Sequence, residues 1–228
     1  MKKSNLLLSV LIIILIVIGV SSNLYEQRSL DQSKIPEFIE SNNDFQKWIT
    51  NLKNKGLNEI EADDFRLLEE SEIYNTKWTK VSTMDVPNIQ GELKLRLEEH
   101  KDIDMVVYSP SEMLYVDFRP IEKDGYGPNE VNLYGQLDDK ILDTMLIDCS
   151  TSANCYYDRG YFIDETTLVV SEVSRNIDKK AEGIEPCGKD VACEYTFKLY
   201  YFDLRDNKKL MYVSSPFMAT LDKLIPEL

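Results

Sequence analysis

The sequence predicts a mainly β domain of antiparallel sheets, with one amphipathic helix near its start and a hydrophobic helix ahead of it. Three observations carry this. Beyond Gly56 the apolar residues recur mostly with a period of two; polar clusters such as Ser109-Pro110-Ser111-Glu112 and Arg205-Asp206-Asn207-Lys208 break them into short runs; and a helical period is clear over Phe45, Trp48, Ile49 and Leu52.

In chain order, Lys2 and Lys3 come first and an uncharged stretch from Ser4 to Tyr25 follows. Its apolar body includes Leu6, Leu7, Leu8, Leu11, Ile12, Ile13, Ile14, Leu15, Ile16, Val17 and Ile18. At 1.5 Å per residue the stretch makes roughly 33 Å of helix, enough to span a bilayer. A cleaved signal peptide also fits, with Val20 and Ser22 as the small residues before a new terminus at Asn23. The uncharged length favours a retained signal anchor. In both cases the lysines stay cytoplasmic and the rest is exported. The expected organisation is therefore an anchor or signal over residues 1–25, a linker over 26–35 and an extracytoplasmic β-rich domain over 36–228. The location is the cell membrane, single-pass, or the periplasm or medium if the signal is removed.

Polar, aperiodic residues from Glu26 to Lys34 suit a tether. The amphipathic helix comes next, with Asn43 and Gln46 spaced as a capping box and Gly56 at the C-terminal cap. Alternation then predicts strands over Glu72 to Val81, over Leu93, Leu95 and Leu97, and in pairs at Asp104 to Tyr108 with Met113 to Phe118 and Glu130 to Tyr134 with Ile141 to Ile147. Further strands are expected at Thr167 to Val173, Tyr195 to Leu204 and Lys209 to Val213, and a short helix over Phe217 to Ile225. Trp48 and Trp78 are both expected in the core.

Lys2 and Lys3 are the only two of the 26 basic residues before Glu26, so the exported part sets 24 basic against 40 acidic residues, a formal −16. This disfavours nucleic acid and anionic lipid headgroups as partners and is the ordinary charge of a solvated surface. Four cysteines form two equally spaced pairs, Cys149 with Cys155 and Cys187 with Cys193. Outside the cytosol an even count reads as disulfides, and of the three possible connectivities the two local loops, polar or small between their ends, are favoured, each stabilising by about 2 kcal/mol. A zinc site of four thiolates is the rival, with spacing wider than zinc pairs use.

The segment Tyr108-Ser-Pro-Ser-Glu-Met-Leu-Tyr-Val-Asp117, with Val131-Asn-Leu-Tyr134 and Asp138-Asp-Lys-Ile-Leu142, resembles a blade of the TolB/WD40-like β-propellers. A second copy runs through Phe162-Ile-Asp-Glu-Thr-Thr-Leu-Val-Val170 and Leu199-Tyr-Tyr-Phe-Asp-Leu-Arg-Asp-Asn-Lys-Lys-Leu210. The resemblance covers about residues 104 to 215. Ser111 stands where the family has Asp and Glu112 where it has Gly. A closed propeller needs at least four blades and at most two or three fit here, so the resemblance implies antiparallel blade-like sheets in a partial, propeller-like stack, an open meander or sandwich, or an oligomer that completes itself. The resemblance implies a rigid scaffold for binding rather than a particular chemistry.

Catalytic motifs are absent: there is no G-x-S-x-G elbow, H-E-x-x-H, Walker loop or dinucleotide fingerprint, and His100 is the only histidine. Asp124, Asn129 and Glu130, in the loop Asp124-Gly-Tyr-Gly-Pro-Asn-Glu130, are the best of the weak metal candidates, and no cofactor is indicated. Tyrosines cluster at Tyr156, Tyr157 and Tyr161 and at Tyr195, Tyr200 and Tyr201, where they fill sheet faces or form a contact surface. The sequence therefore points to a membrane-tethered, non-catalytic binding domain for a protein or small molecule. The alternatives are a carboxylate-based envelope hydrolase of glycosidase type and a structural subunit of an envelope assembly.

Overall fold

The computed structural model describes residues 33–74, 77–120, 129–175, 177–178 and 187–225. The expected anchor between Ser4 and Tyr25, the tether up to residue 32, and Asp124 lie outside the described residues. Among the described residues no helix is long and apolar enough to cross a membrane. The chain divides into two units, Met1–Lys34 and Ile35–Leu228, and the architecture below is that of the second.

It starts with a single turn, α1 (Glu37–Glu40), and the amphipathic helix α2 (Asn43–Asn54). The N-cap of α2 is Asn42, one residue earlier than the capping-box spacing indicates. Its side chain accepts from the N–H of Asp44 at 2.8 Å and of Phe45 at 3.4 Å, while Gln46 donates to the carbonyl of Glu40 at 2.7 Å. Gly56 closes the helix at φ +86, a conformation costly for residues with a Cβ. Phe45, Trp48, Ile49 and Leu52 are all buried, each contributing about 1.5–3 kcal/mol.

Two antiparallel sheets follow. The first holds β1 (Arg66–Glu72), β7 (Tyr156–Phe162), β8 (Thr167–Ser174), β9 (Cys193–Asp203) and β10 (Lys208–Val213) in the order β1-β10-β9-β8-β7, with β11 (Phe217–Ala219) pairing the start of β9. The second holds β2 (Thr79–Thr83), β3 (Val106–Tyr108), β4 (Leu114–Asp117), β5 (Glu130–Leu137) and β6 (Lys140–Asp148) in the order β2-β6-β5-β4-β3. Neither closes into a barrel. Each has four consecutive antiparallel strands paired in sequence order, with one earlier strand added beside the last; the first sheet also carries β11 on β9.

Four expectations are corrected. Glu72 to Val81 is not one strand: β1 ends at Glu72 in the first sheet and β2 starts at Thr79 in the second, because the chain crosses between sheets there. Trp78, in that crossing, is 47% exposed and outside the core. Leu93, Leu95 and Leu97 lie on a helix, α3 (Ile89–Glu99), whose Glu, Lys, Arg and Leu are helix formers. Ile89, Leu93 and Leu97 recur every four residues on its inner face, and Leu95 points to solvent. The expected C-terminal helix splits into β11 and one turn, α4 (Leu221–Leu224), because Phe217 and Ala219 bury alternately against β9.

Apolar layers fill three levels. Between the sheets lie Leu114, Val116, Val131 and Leu133 against Leu168, Val170 and Phe202. The outer face of the first sheet, including Val169, Phe197 and Leu199, is covered by α2. The outer face of the second, with Tyr115, Tyr134 and Ile141, meets α3 through Leu93.

Gly135 lets β5 pass close to the chain that leads into β4. At φ +137 it sits opposite Leu114, and a Cβ there would stand 2.1 Å from the carbonyl oxygen of Met113. Gly135→Ala is expected to lower the unfolding free energy by about 3 kcal/mol, measured by urea denaturation. A change within about 0.5 kcal/mol would mean that β4 and β5 separate easily.

Candidate functional site

The cysteines pair as two local loops, Cys149 with Cys155 and Cys187 with Cys193, which removes the four-thiolate zinc site. Both disulfides point to an oxidising compartment outside the cytosol. The loops are tied together, since the side chain of Asn154 donates to the carbonyl of Cys187 at 3.3 Å. Asn129 is engaged on the first loop: its amide donates to the carbonyl of Cys155, and its own carbonyl accepts from Cys149 N–H at 3.0 Å. Glu130 opens β5 directly opposite Asp148. Among the described residues the one thiol or carboxylate group tight enough for a metal is Cys149, Cys155 and Glu172, and its two sulfurs are bonded to each other.

Glu172 belongs to a network that the sequence reading missed. It is fully buried on β8, and β8 pairs with β9 in a register that sets Glu172 opposite Lys198. One carboxylate oxygen accepts from Lys198 Nζ and Ser174 Oγ, both at 2.8 Å, and the other from the Tyr200 hydroxyl at 2.8 Å. Burial, reinforced by the Glu172 charge, pushes the Tyr200 and Tyr157 hydroxyls far above their ordinary range. A lone Glu in the run Leu168-Val-Val-Ser-Glu-Val173 was the available signal. This buried, paired set fixes the register of β8 on β9.

His100 is likewise committed. It donates through Nδ1 to the carbonyl of Arg96 at 2.9 Å and stacks on Tyr115 with ring centroids 4.7 Å apart. Arg96 lies over the Tyr134 ring at 3.8 Å and pairs with Asp143 at 3.0 Å. These contacts hold α3 to the second sheet along one side. On the other side a groove of about 460 Å³ remains, floored by Met84, Leu93, Leu97 and Met113. Tyr108 lines it and donates to the carbonyl of Leu97 at 2.5 Å. Its charged rim pairs within itself, Lys101 with Glu112 at 2.7 Å and Lys94 with Glu98 at 3.9 Å. Met113 reaches the groove because Glu112 takes a left-handed conformation, φ 58, in the turn before β4.

No family model, curated protein or solved structure matches this chain. Its chemistry is therefore read from its own geometry.

A second depression lies between the sheets, about 430 Å³, where β1 and β10 face β6. Glu69, Glu72, Asp148 and Lys209 line it with Trp78 and Tyr200. The expected tyrosine clusters mostly fill cores: Tyr157, Tyr161, Tyr195 and Tyr200 are buried.

Lys198→Met leaves the Glu172 charge buried without its partner, and a loss of about 3–5 kcal/mol is expected in denaturant unfolding. Glu172→Gln combined with Lys198→Met should recover much of that loss. If the double variant is as unstable as the single one, the pair is not the coupled unit described. A second expectation concerns alkali. Burial raises Tyr74, further raised by Asp203, and Tyr212 to about 12. Unfolded tyrosine ionises near 10, so the unfolded chain sheds protons first. Stability should be complete below about pH 10 and fall as pH rises towards about 12, with tyrosinate absorbance and circular dichroism changing together. Early tyrosinate formation in a fully folded chain would contradict it.

Proposed function

We propose that the chain is a membrane-tethered, extracytoplasmic binding domain without catalytic activity, built as two propeller-like blades closed by helices. The tether is the apolar segment that includes Leu6 to Ile18, and the two disulfides support the compartment. For the blades, the support is that each sequence copy lies in a sheet whose four consecutive strands pair antiparallel in sequence order. Glu112 is left-handed where TolB/WD40-like blades carry Gly, and Asp138 and Asn207, in the last hairpin of each copy, both have φ 54. With α2 over one outer face and α3 over the other, two blades have no bare face that requires a third.

The observation that carries the binding reading is the groove beside α3. Its floor of Met and Leu is apolar and adaptable, and its rim charges neutralise one another, so it suits the apolar side chains of a partner protein's segment. His100, held by Arg96 and Tyr115, supports packing over general-base work.

The test is a photo-crosslinking side chain at Met113 in the full chain in its own membrane, with exposed Leu68 on β1 as control. A discrete polypeptide adduct is expected at Met113 and none at Leu68. That polypeptide, purified, should bind the wild type at least about ten-fold more tightly than Met113→Glu. Equal adducts at both positions, unchanged binding, or turnover of glycosides or esters that a single carboxylate substitution removes would overturn the reading.

A further inference from the structure

The depression between the sheets differs chemically from the groove beside α3 and lies on the opposite face of the second sheet. Its floor includes Ile147, Tyr200 and Met211, and its mouth carries Glu69, Glu72 and Asp148. Lys209 is the one cation among its lining residues, 4.0 Å from Glu69, so the lining has two carboxylates in excess. Trp78 stands at the edge, half in solvent, with Lys77 Nζ 4.4 Å from the centre of its ring. The chain's own alkylammonium thus already sits on an aromatic ring at this mouth, as an amine ligand would.

We infer that this cleft binds a linear organic polyamine, with ammonium groups at Glu69, Glu72 and Asp148, one of them against Trp78, and methylenes on the apolar floor. A bare divalent ion fits less well. It requires several oxygens converging on one point, and among the described residues these three carboxylates form no such group. Separated carboxylates joined by apolar surface match charges separated by methylenes. The formal −16 beyond Tyr25 raises the local concentration of any such cation. The inference does not depend on the α3 groove being occupied.

Spermidine titrated into the full-length chain in neutral detergent tests it, followed by calorimetry and tryptophan fluorescence. Trp48 is buried, so Trp78 is the residue whose emission a ligand at the mouth would change. Saturable one-to-one binding is expected. Glu69→Gln with Asp148→Asn should weaken it at least about ten-fold and Trp78→Leu several-fold. Lys77→Ala removes the internal competitor and should tighten it several-fold; the side chain is exposed, so that change does not threaten folding. Binding that is not saturable, that magnesium at matched ionic strength displaces equally well, or that is indifferent to Trp78 and Lys77 would overturn the proposal.

Discussion

The central strands of both sheets are apolar on their two faces, and the rest of the architecture follows from that requirement. β8 is buried along its whole length, so its residues face either the second sheet or α2, and neither direction is open to water. A pair of sheets satisfies only the inner faces. The outer faces need covers, and the chain supplies one helix to each. The covers are unequal. α2 buries four large side chains and ties Trp48 Nε1 to Asp158 at 2.6 Å, whereas α3 buries Leu93 alone and relies on Arg96 and His100 to stay in place. A groove beside α3 is the direct result of that inequality.

Among the described residues the buried charged side chains, Asp117, Glu172 and Lys198, are all paired. Glu172 would be costly between the sheets on its own, and it is tolerated because Lys198, Ser174 and Tyr200 all bond to it. Asp117, also buried, is met by a two-pronged contact from Arg119, at 2.9 and 2.5 Å. Such pairs contribute alignment more than net stability, since an apolar pair of the same shape would cost less to bury.

What could be read from sequence was what short segments decide by themselves. The α2 periodicity, the turn at Ser109 to Glu112, the β9 to β10 hairpin and the local cysteine loops all depend on residues a few positions apart. Leu93, Leu95 and Leu97 misled because three alternate leucines satisfy a strand and a helix equally over so short a run, and only neighbours at Ile89 and the surrounding helix formers decide. Trp78 was misplaced because its burial depends on where the chain leaves one sheet for the other. Glu172 with Lys198, 26 positions apart, becomes a pair only once register is fixed. The groove and the cleft were illegible for the same reason, being assembled from helix, turn and strand residues far apart along the chain.

The placement of β1 and β2 has a consequence for the order of folding. They are neighbours in sequence, yet β1 pairs with β10, where Arg66 meets Val213, and β2 pairs with β6, where Thr79 meets Thr144. As the chain emerges from the ribosome, β2 finds its place once β6 has appeared, while β1 waits until β10 has been made. The first sheet is therefore begun by β1 and completed only when β10 has been made, so a truncation that removes β10 leaves β1 without its partner strand.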